Sequence, residues 1–145
     1  MAEPSPKPVD ENLPAVARPR PWTLQRAYAM FPRLAERRAN LGDRLCVGEQ
    51  QMLAVARALV LNPARLLLDE PLEGLAPIIA LELLRAIERV ARGEGMSAII
   101  VGQHPRLVLP ITRRAVVLDR DAIVVEGRSD ELLADPAQLG RWLAV

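Results

Sequence analysis

Glycine, lysine, cysteine, histidine and aromatic residues are all scarce in this 145-residue chain, and each scarcity excludes something. No glycine precedes Gly42, and the one lysine, Lys7, sits between Pro6 and Pro8. A phosphate-gripping loop of the form GxxxxGK[S/T] therefore has no place within these residues. Cys46 is the only cysteine, which rules out an internal disulfide. The amino terminus MAEPSPKPVDENLP lacks the apolar core of a secretion signal, which together with the lone cysteine fits a reducing cytoplasm. Arginines interrupt every long apolar run, so no stretch approaches the roughly 18 residues of a spanning helix and any membrane role is expected to be peripheral. Charge of one sign is lacking too: 19 basic and 18 acidic residues leave +1, a field too weak to argue for nucleic acid or an anionic membrane.

Hydrophobic residues are plentiful, at 50% of the chain, enough for one core that buries roughly 68 to 70% of the unfolded surface. Residues 1–21 hold six of the 13 prolines and read as a disordered or extended leader. Order is expected from Trp22. The spacing of Leu24, Ala27, Tyr28, Phe31, Leu34 and Ala35 predicts an amphipathic helix over 23–38 that Pro32 kinks or splits. A second helix is predicted over 48–61, with Met52, Val55, Ala56 and Leu59 on one face and Asn62-Pro63 as its stop. A strand follows over 65–68. Pro77 opens a helix with Leu83, Leu84, Ile87 and Val90 as its buried stripe, ended by Gly93 and Gly95. SAIIVGQ (97–103), AVVLDR (115–120) and AIVVEG (122–127) read as strands, the last two as a hairpin, and two short helices follow from Ser129. Strand–helix–strand alternation predicts an α/β fold, a parallel sheet flanked by helices.

Two segments carry chemistry. LCVGEQQ (45–51) opens a helix, and a helix start offers unpaired amides and a positive dipole end to an anion. In LLLDEP (66–71) two adjacent carboxylates end an apolar strand, where a desolvated pair would be costly. Asp69 at the carboxyl end of a parallel strand is well placed to hold Mg²⁺, and Glu70 to polarise an attacking water. Both would face a metal and a phosphate at the sheet edge, where open α/β sheets bind ligands.

At these residues the sequence resembles a known family. LCVGEQQMLAVARALVLNPARLLLDEPLEGLAP looks like the signature helix, Walker B strand and D-loop of an ABC transporter ATPase. With WTLQRAYAMFPRLAERR ahead of it, the chain looks most like the ATPase subunits of branched-chain amino acid and urea importers. The resemblance runs from about Trp22 to Val145 and covers only the second half of such a subunit. It implies a partial P-loop NTPase fold with part of the ABC helical subdomain: a helical remnant with the signature helix at 22–62, the second half of the ATPase core at 63–128 and terminal helices at 129–145. It assigns Asp69 to Mg²⁺ and Glu70 to the general base. Leu45, Cys46, Val47, Gly48, Glu49, Gln50 and Gln51 become the signature that caps the γ-phosphate held by an opposing subunit. Glu73, Gly74 and Leu75 become the D-loop that touches that subunit. Gln103 falls where many relatives carry a switch histidine, which leaves His104 as a loop residue. The implied cofactors are ATP and Mg²⁺. The implied partners are membrane permease subunits and a second ATPase subunit, and the implied location is the cytoplasmic face of the cell membrane.

Several residues depart from the family pattern. LSGGEQQ reads LCVGEQQ here, so a weakly donating thiol replaces a hydroxyl at Cys46 and β-branched Val47 stands where glycine allows close approach. Leu72 replaces a D-loop serine, and Gly102 stands in place of an acid. Without a P-loop the chain alone is expected to bind nucleotide weakly or not at all. The resemblance also places the P-loop strand between strands 97–103 and 115–120. Lacking it, the fragment is expected to re-pair those strands, borrow one, or be marginally stable. Three functions stay open: an importer ATPase completed in trans by the missing half, a non-catalytic interaction module, or a degenerate fragment.

Overall fold

The computed structural model describes residues 6–17, 21–93 and 95–142. They fall into two compact units, Met1–Val101 and Gly102–Val145.

The first unit begins with α1, Val9–Asn12, followed by a single 3-10 turn at Pro14–Val16. Val9 and Leu13, four residues apart and so on one side of the turn, are both wholly buried. Main-chain bonds fasten the segment to the 38–42 loop: Val9 N–H to Asn40 O at 3.0 Å, Asp10 N–H to Arg38 O at 3.1 Å, and Gly42 N–H to Lys7 O at 3.0 Å. The buried Asn12 amide donates to Lys7 O at 2.7 Å and to Pro8 O at 3.1 Å. Residues 6–17 are thus folded where the proline content predicted a disordered or extended leader, because two apolar anchors and these bonds offset the cost of ordering a short segment. Residues 1–5 and 18–20 of the expected leader lie outside the described residues.

The helix predicted over 23–38 is split at Pro32. The first part, α2 (Leu24–Met30), is capped by the Thr23 hydroxyl, which accepts from Arg26 N–H at 3.3 Å. Phe31 leaves helical geometry, and Pro32, which lacks an amide to continue the ladder, becomes the first residue of α3 (Pro32–Glu36). Helix α4 (Val47–Val60) buries Met52, Leu53, Val55, Ala56, Leu59 and Val60. It stops at Asn62, whose backbone is left-handed at φ 55° and whose side-chain oxygen accepts from Trp22 N–H at 2.7 Å. The same residue that ends α4 thereby anchors the start of the helical region.

Strand β1 (Arg65–Asp69), helix α5 (Pro77–Gly93) and strand β2 (Ser97–Val101) form a strand–helix–strand unit with the strands parallel. Ala80, Leu83, Leu84, Ile87 and Val90 make the buried stripe of α5. In β1, Leu66 and Leu68 are buried while Leu67 is 71% exposed, so the LLL run is covered on one face only.

In the second unit, α6 (Pro105–Val108) and a 3-10 turn at Leu109–Ile111 lead into β3 (Arg114–Asp119), which pairs antiparallel with β4 (Ala122–Arg128). Arg120 and Asp121 both have positive φ, 45° and 66°, the two-residue turn that matches hairpin twist. α7 (Ser129–Ala134) and α8 (Pro136–Gly140) follow. Leu109, Val117, Val125, Leu132 and Leu139 form this unit's core. Among the described residues each sheet has two strands, β1 with β2 and β3 with β4.

Candidate functional site

The carboxyl end of β1 positions the two acids differently. Asp69 is the last strand residue, opposite Val101 in the register, and it is exposed, so it avoids the desolvation cost that a dry strand would impose. Glu70 leaves the strand with a left-handed backbone, φ 45°, a geometry that costs a side-chain-bearing residue roughly 1–2 kcal/mol. Its N–H still donates to Val101 O at 2.9 Å, extending the parallel ladder by one bond, and the buried Pro71 and Leu72 hold the chain beyond it. The surroundings therefore over-determine the strained residue, a pattern that clusters at functional sites. The turn continues through Glu73 N–H to Glu70 O at 3.2 Å and Leu75 N–H to Leu72 O at 3.3 Å. Gly74, at φ 70°, needs its missing side chain there. Leu72, which departs from the family serine, packs into the core.

The start of α4 lies beside that turn. A Cβ on Gly74 would sit 4.0 Å from Val47 Cγ1, so the fold brings the start of α4 and the turn after β1 together. Leu45 is buried, Cys46 is exposed, and Val47 is 54% exposed. Gly48 has a packing reason: a Cβ there would approach Ile79 Cγ2 to 2.5 Å, so its absence admits the first turn of α5. Glu49 reaches back three residues and accepts from Cys46 N–H at 3.1 Å, while Arg37 of the loop after α3 binds the same carboxylate at 3.4 Å. Gln50 donates to the carbonyls of Gly42 and Asp43, each at 3.4 Å. Gln51 is buried, and its side-chain oxygen has no partner among the described residues. Gln103 stands exposed at the amino end of the second unit, followed by exposed His104, after which Pro105 opens α6.

These residues fit the two halves of a magnesium nucleotide unequally. An exposed carboxylate ending a strand suits a hydrated cation, and no group of three or more His, Cys, Asp or Glu positioned for direct ligation occurs among the described residues. The start of α4 suits an anion poorly, because its capping amide is already bound to Glu49 and a β-branched side chain stands next to it. C-x-x-E at 46–49 is the spacing of a capping box, so this contact was legible in the sequence. Arg37 reads in the sequence as part of a solvated helix face, and Ile79 and the anchors Val9, Asn12 and Leu13 carry no motif there. Only the four-residue spacing of Val9 and Leu13 hinted at the anchors. The Tyr28 hydroxyl, which donates to Asp10 at 2.5 Å, fastens the same segment. Burial above all, then the bond to Asp10 and its charge, raise the Tyr28 pKa, against the opposing charge of Arg38.

Residues 7–73 match the ABC transporter family model, a match that includes the folded leader. The chain is 41% identical over 113 residues to the high-affinity branched-chain amino acid transport ATP-binding protein BraG of Pseudomonas aeruginosa, covering 78% of this chain and 48% of that protein. It is 35% identical over 105 residues to the L-cystine transport system ATP-binding protein TcyN of Escherichia coli, covering 72% of this chain and 42% of that one. With the lipopolysaccharide export system ATP-binding protein LptB of Escherichia coli it shares 34% over 98 residues, 68% and 40% of the two chains. The chain thus spans about half the length of the curated relatives it matches, or less. Among solved structures, the ATP-binding cassette MJ1267 superposes with a TM-score of 0.73 at 21% identity, covering 94% of this chain and 63% of that one. An inward-facing metal-chelate type ABC transporter gives 0.78 at 19%, covering 98% and 60%. The fold is that of part of an ATP-binding cassette. Among the described residues, no helix is long and apolar enough to cross a membrane.

Proposed function

We propose, for a chain that matches the ABC transporter family over residues 7–73 and carries part of the ATP-binding cassette fold, that it is the second half of an importer's ATP-binding subunit. The substrate class favoured is branched-chain amino acids, with urea next, on the strength of the 41% identity to BraG and the GEQQMLAVARAL wording. The observation that carries the reading is the end of β1, where exposed Asp69 and strained Glu70 stand at the carboxyl edge of a parallel pair, with the 71–74 turn against the start of α4. In this reading Asp69 orients a hydrated Mg²⁺ and Glu70 accepts a proton from water. Gly74 lets the turn approach an opposing subunit, and residues 45–51 face that subunit's nucleotide. ATP, when held, supplies the phosphoanhydride bond whose hydrolysis drives transport. Gln103 follows β2 as the counterpart of the switch residue. Work at the inner face of the cell membrane, beside permease subunits and a second ATPase subunit, belongs to the same proposal.

Hydrolysis needs the P-loop half in addition to these residues, since no lysine or glycine-rich loop here grips the β and γ phosphates. The chain alone is expected to show no rise in melting temperature in millimolar Mg²⁺-ATP. Supplied with a P-loop half, it is expected to turn over ATP and to lose turnover on Glu70→Gln. Tight magnesium-dependent ATP binding by the 145 residues alone would overturn the division of labour.

A second reading, a non-catalytic interaction module, draws support from the start of α4. There Glu49 holds the Cys46 amide and exposed Val47 replaces a small residue, so the segment presents an apolar side chain where an anion seat is needed. Capture of permease subunits by the chain, with no ATP turnover once a P-loop half is present, would favour this reading over the first.

A further inference from the structure

On the outer side of α5, Ile78, Leu81, Arg85, Arg89 and Arg92 are all exposed. Spacings of three, four, four and three residues keep them within about 80° of arc, opposite the buried stripe of Ala80, Leu83, Leu84, Ile87 and Val90. The stripe runs from apolar to basic. Ile78 is 63% exposed and Leu81 41%, and an open groove of about 520 Å³ follows, lined by Arg85, Glu88, Arg89, Arg92 and Gly93. Acids flank the stripe, but both are engaged: Glu82 accepts from Arg33 at 3.0 and 3.3 Å, and Glu88 lies 3.1 Å from Arg92. Arg85 and Arg89 have no acidic partner among the described residues. Arg92, in the last turn, complements the negative end of the helix, an effect that fades within that turn. Arg85 lies about two turns earlier, so the helix itself draws nothing from its charge.

We propose that this outer stripe of α5 is a docking surface for an acidic amphipathic helix of another polypeptide. The partner lies antiparallel to α5, so that carboxylates in its first turns meet Arg85 and Arg89 and apolar residues further along cover Leu81 and Ile78. Charge complementarity selects the occupant, because two unneutralised guanidiniums one turn apart match carboxylates repeated at the same spacing on a facing helix. It also selects the direction. Acids are favoured at the positive amino end of a helix, and the two helix dipoles then oppose each other. The apolar end of the stripe sets this partner apart from a phosphate polymer or an anionic bilayer, which would call for charge along the whole length and a stronger field than the net +1 of the chain. A second copy fits poorly. The exposed acids that open α7 already face Arg128, Asp130 at 2.8 and 3.1 Å and Glu131 at 3.7 Å. The surface is independent of nucleotide and of the ATPase reading above.

The test reads, by fluorescence anisotropy, the binding of a labelled synthetic helix to the 145-residue chain. The peptide carries three glutamates and then two leucines at the mirrored spacing, on a background of alanine and glutamine. It is expected to bind, and the paired substitutions Arg85→Glu and Arg89→Glu to weaken it roughly tenfold or more. A peptide with lysines in place of the glutamates is expected to bind the doubly substituted chain better than the original one, which also shows that the variant is folded. A peptide of unchanged composition, with its glutamates and leucines spread around the helix, is expected to bind roughly tenfold more weakly than the striped one. Absence of binding, indifference to the paired substitutions, no gain on the lysine exchange, or equal affinity for the spread peptide overturns the proposal. Capture of phosphatidylserine vesicles or heparin that exceeds peptide binding and is lost in the same variant overturns it too, because a phosphate or sulfate surface would then be the occupant. A homodimer of the chain that the same variant dissolves counts equally against it.

Discussion

Single atoms decide much of the geometry around the site. Gly48 is glycine because Ile79 occupies the space a Cβ would take, 2.5 Å from Cγ2. Gly48→Ala is expected to destabilise the chain by about 1–3 kcal/mol in urea unfolding, and Ile79→Ala in the same chain to recover part of that loss. If the two substitutions prove additive, the close approach is not what requires the glycine. Tyr28 gives a pH signature. Its pKa is raised in the folded chain, so the folded state holds the phenolic proton more tightly than the unfolded state does. The associated stability is complete below the unfolded tyrosine value of about 10 and is lost as pH climbs through it toward the folded value. Urea midpoints measured from about pH 9 to 11 should therefore fall, and Tyr28→Phe should flatten that fall.

At the scale of elements, the break between α2 and α3 was readable because Pro32 acts locally, through its missing amide. The leader was not. Six prolines in 21 residues outweighed the spacing of Val9 and Leu13, whose burial depends on the 38–42 loop and on Tyr28, distant in sequence. The consequence is measurable: Leu13→Ala is expected to cost about 2–5 kcal/mol, as for a fully buried leucine. A cost within about 0.5 kcal/mol, typical of a surface change, would mean the segment is not anchored. The hairpin of β3 and β4 was readable from the two residues between the strands, although its turn uses Arg120 at φ 45° in place of the usual asparagine or glycine.

Across the whole molecule, the two-stranded sheets matter most. A sheet of two strands has only edges, and each described sheet has no more than two. Amides of 97–101 are expected to exchange with deuterium well before those of 53–60, which lie in a helix with buried side chains at Leu53, Val55, Ala56, Leu59 and Val60. Slow exchange over 97–101 in a monomer would show that the pair is stable without further cover. The strain at Glu70 belongs to this scale too: it persists because a ladder bond to β2 and buried residues beyond it hold the turn.

Apart from α1 and α6, the order of helices and strands, the split at Pro32, the hairpin, and the position of Asp69-Glu70 at a strand end were all determined by the sequence itself, because periodicity, proline and turn residues act over a few neighbours. Tertiary structure alone decided that the leader folds, that Arg37 stands behind the Glu49 carboxylate, and that LLL is covered on one face. Alternation specifies which side chains share a side of a strand. Whether anything packs on that side depends on chain far away in sequence, and burial is a property of that meeting.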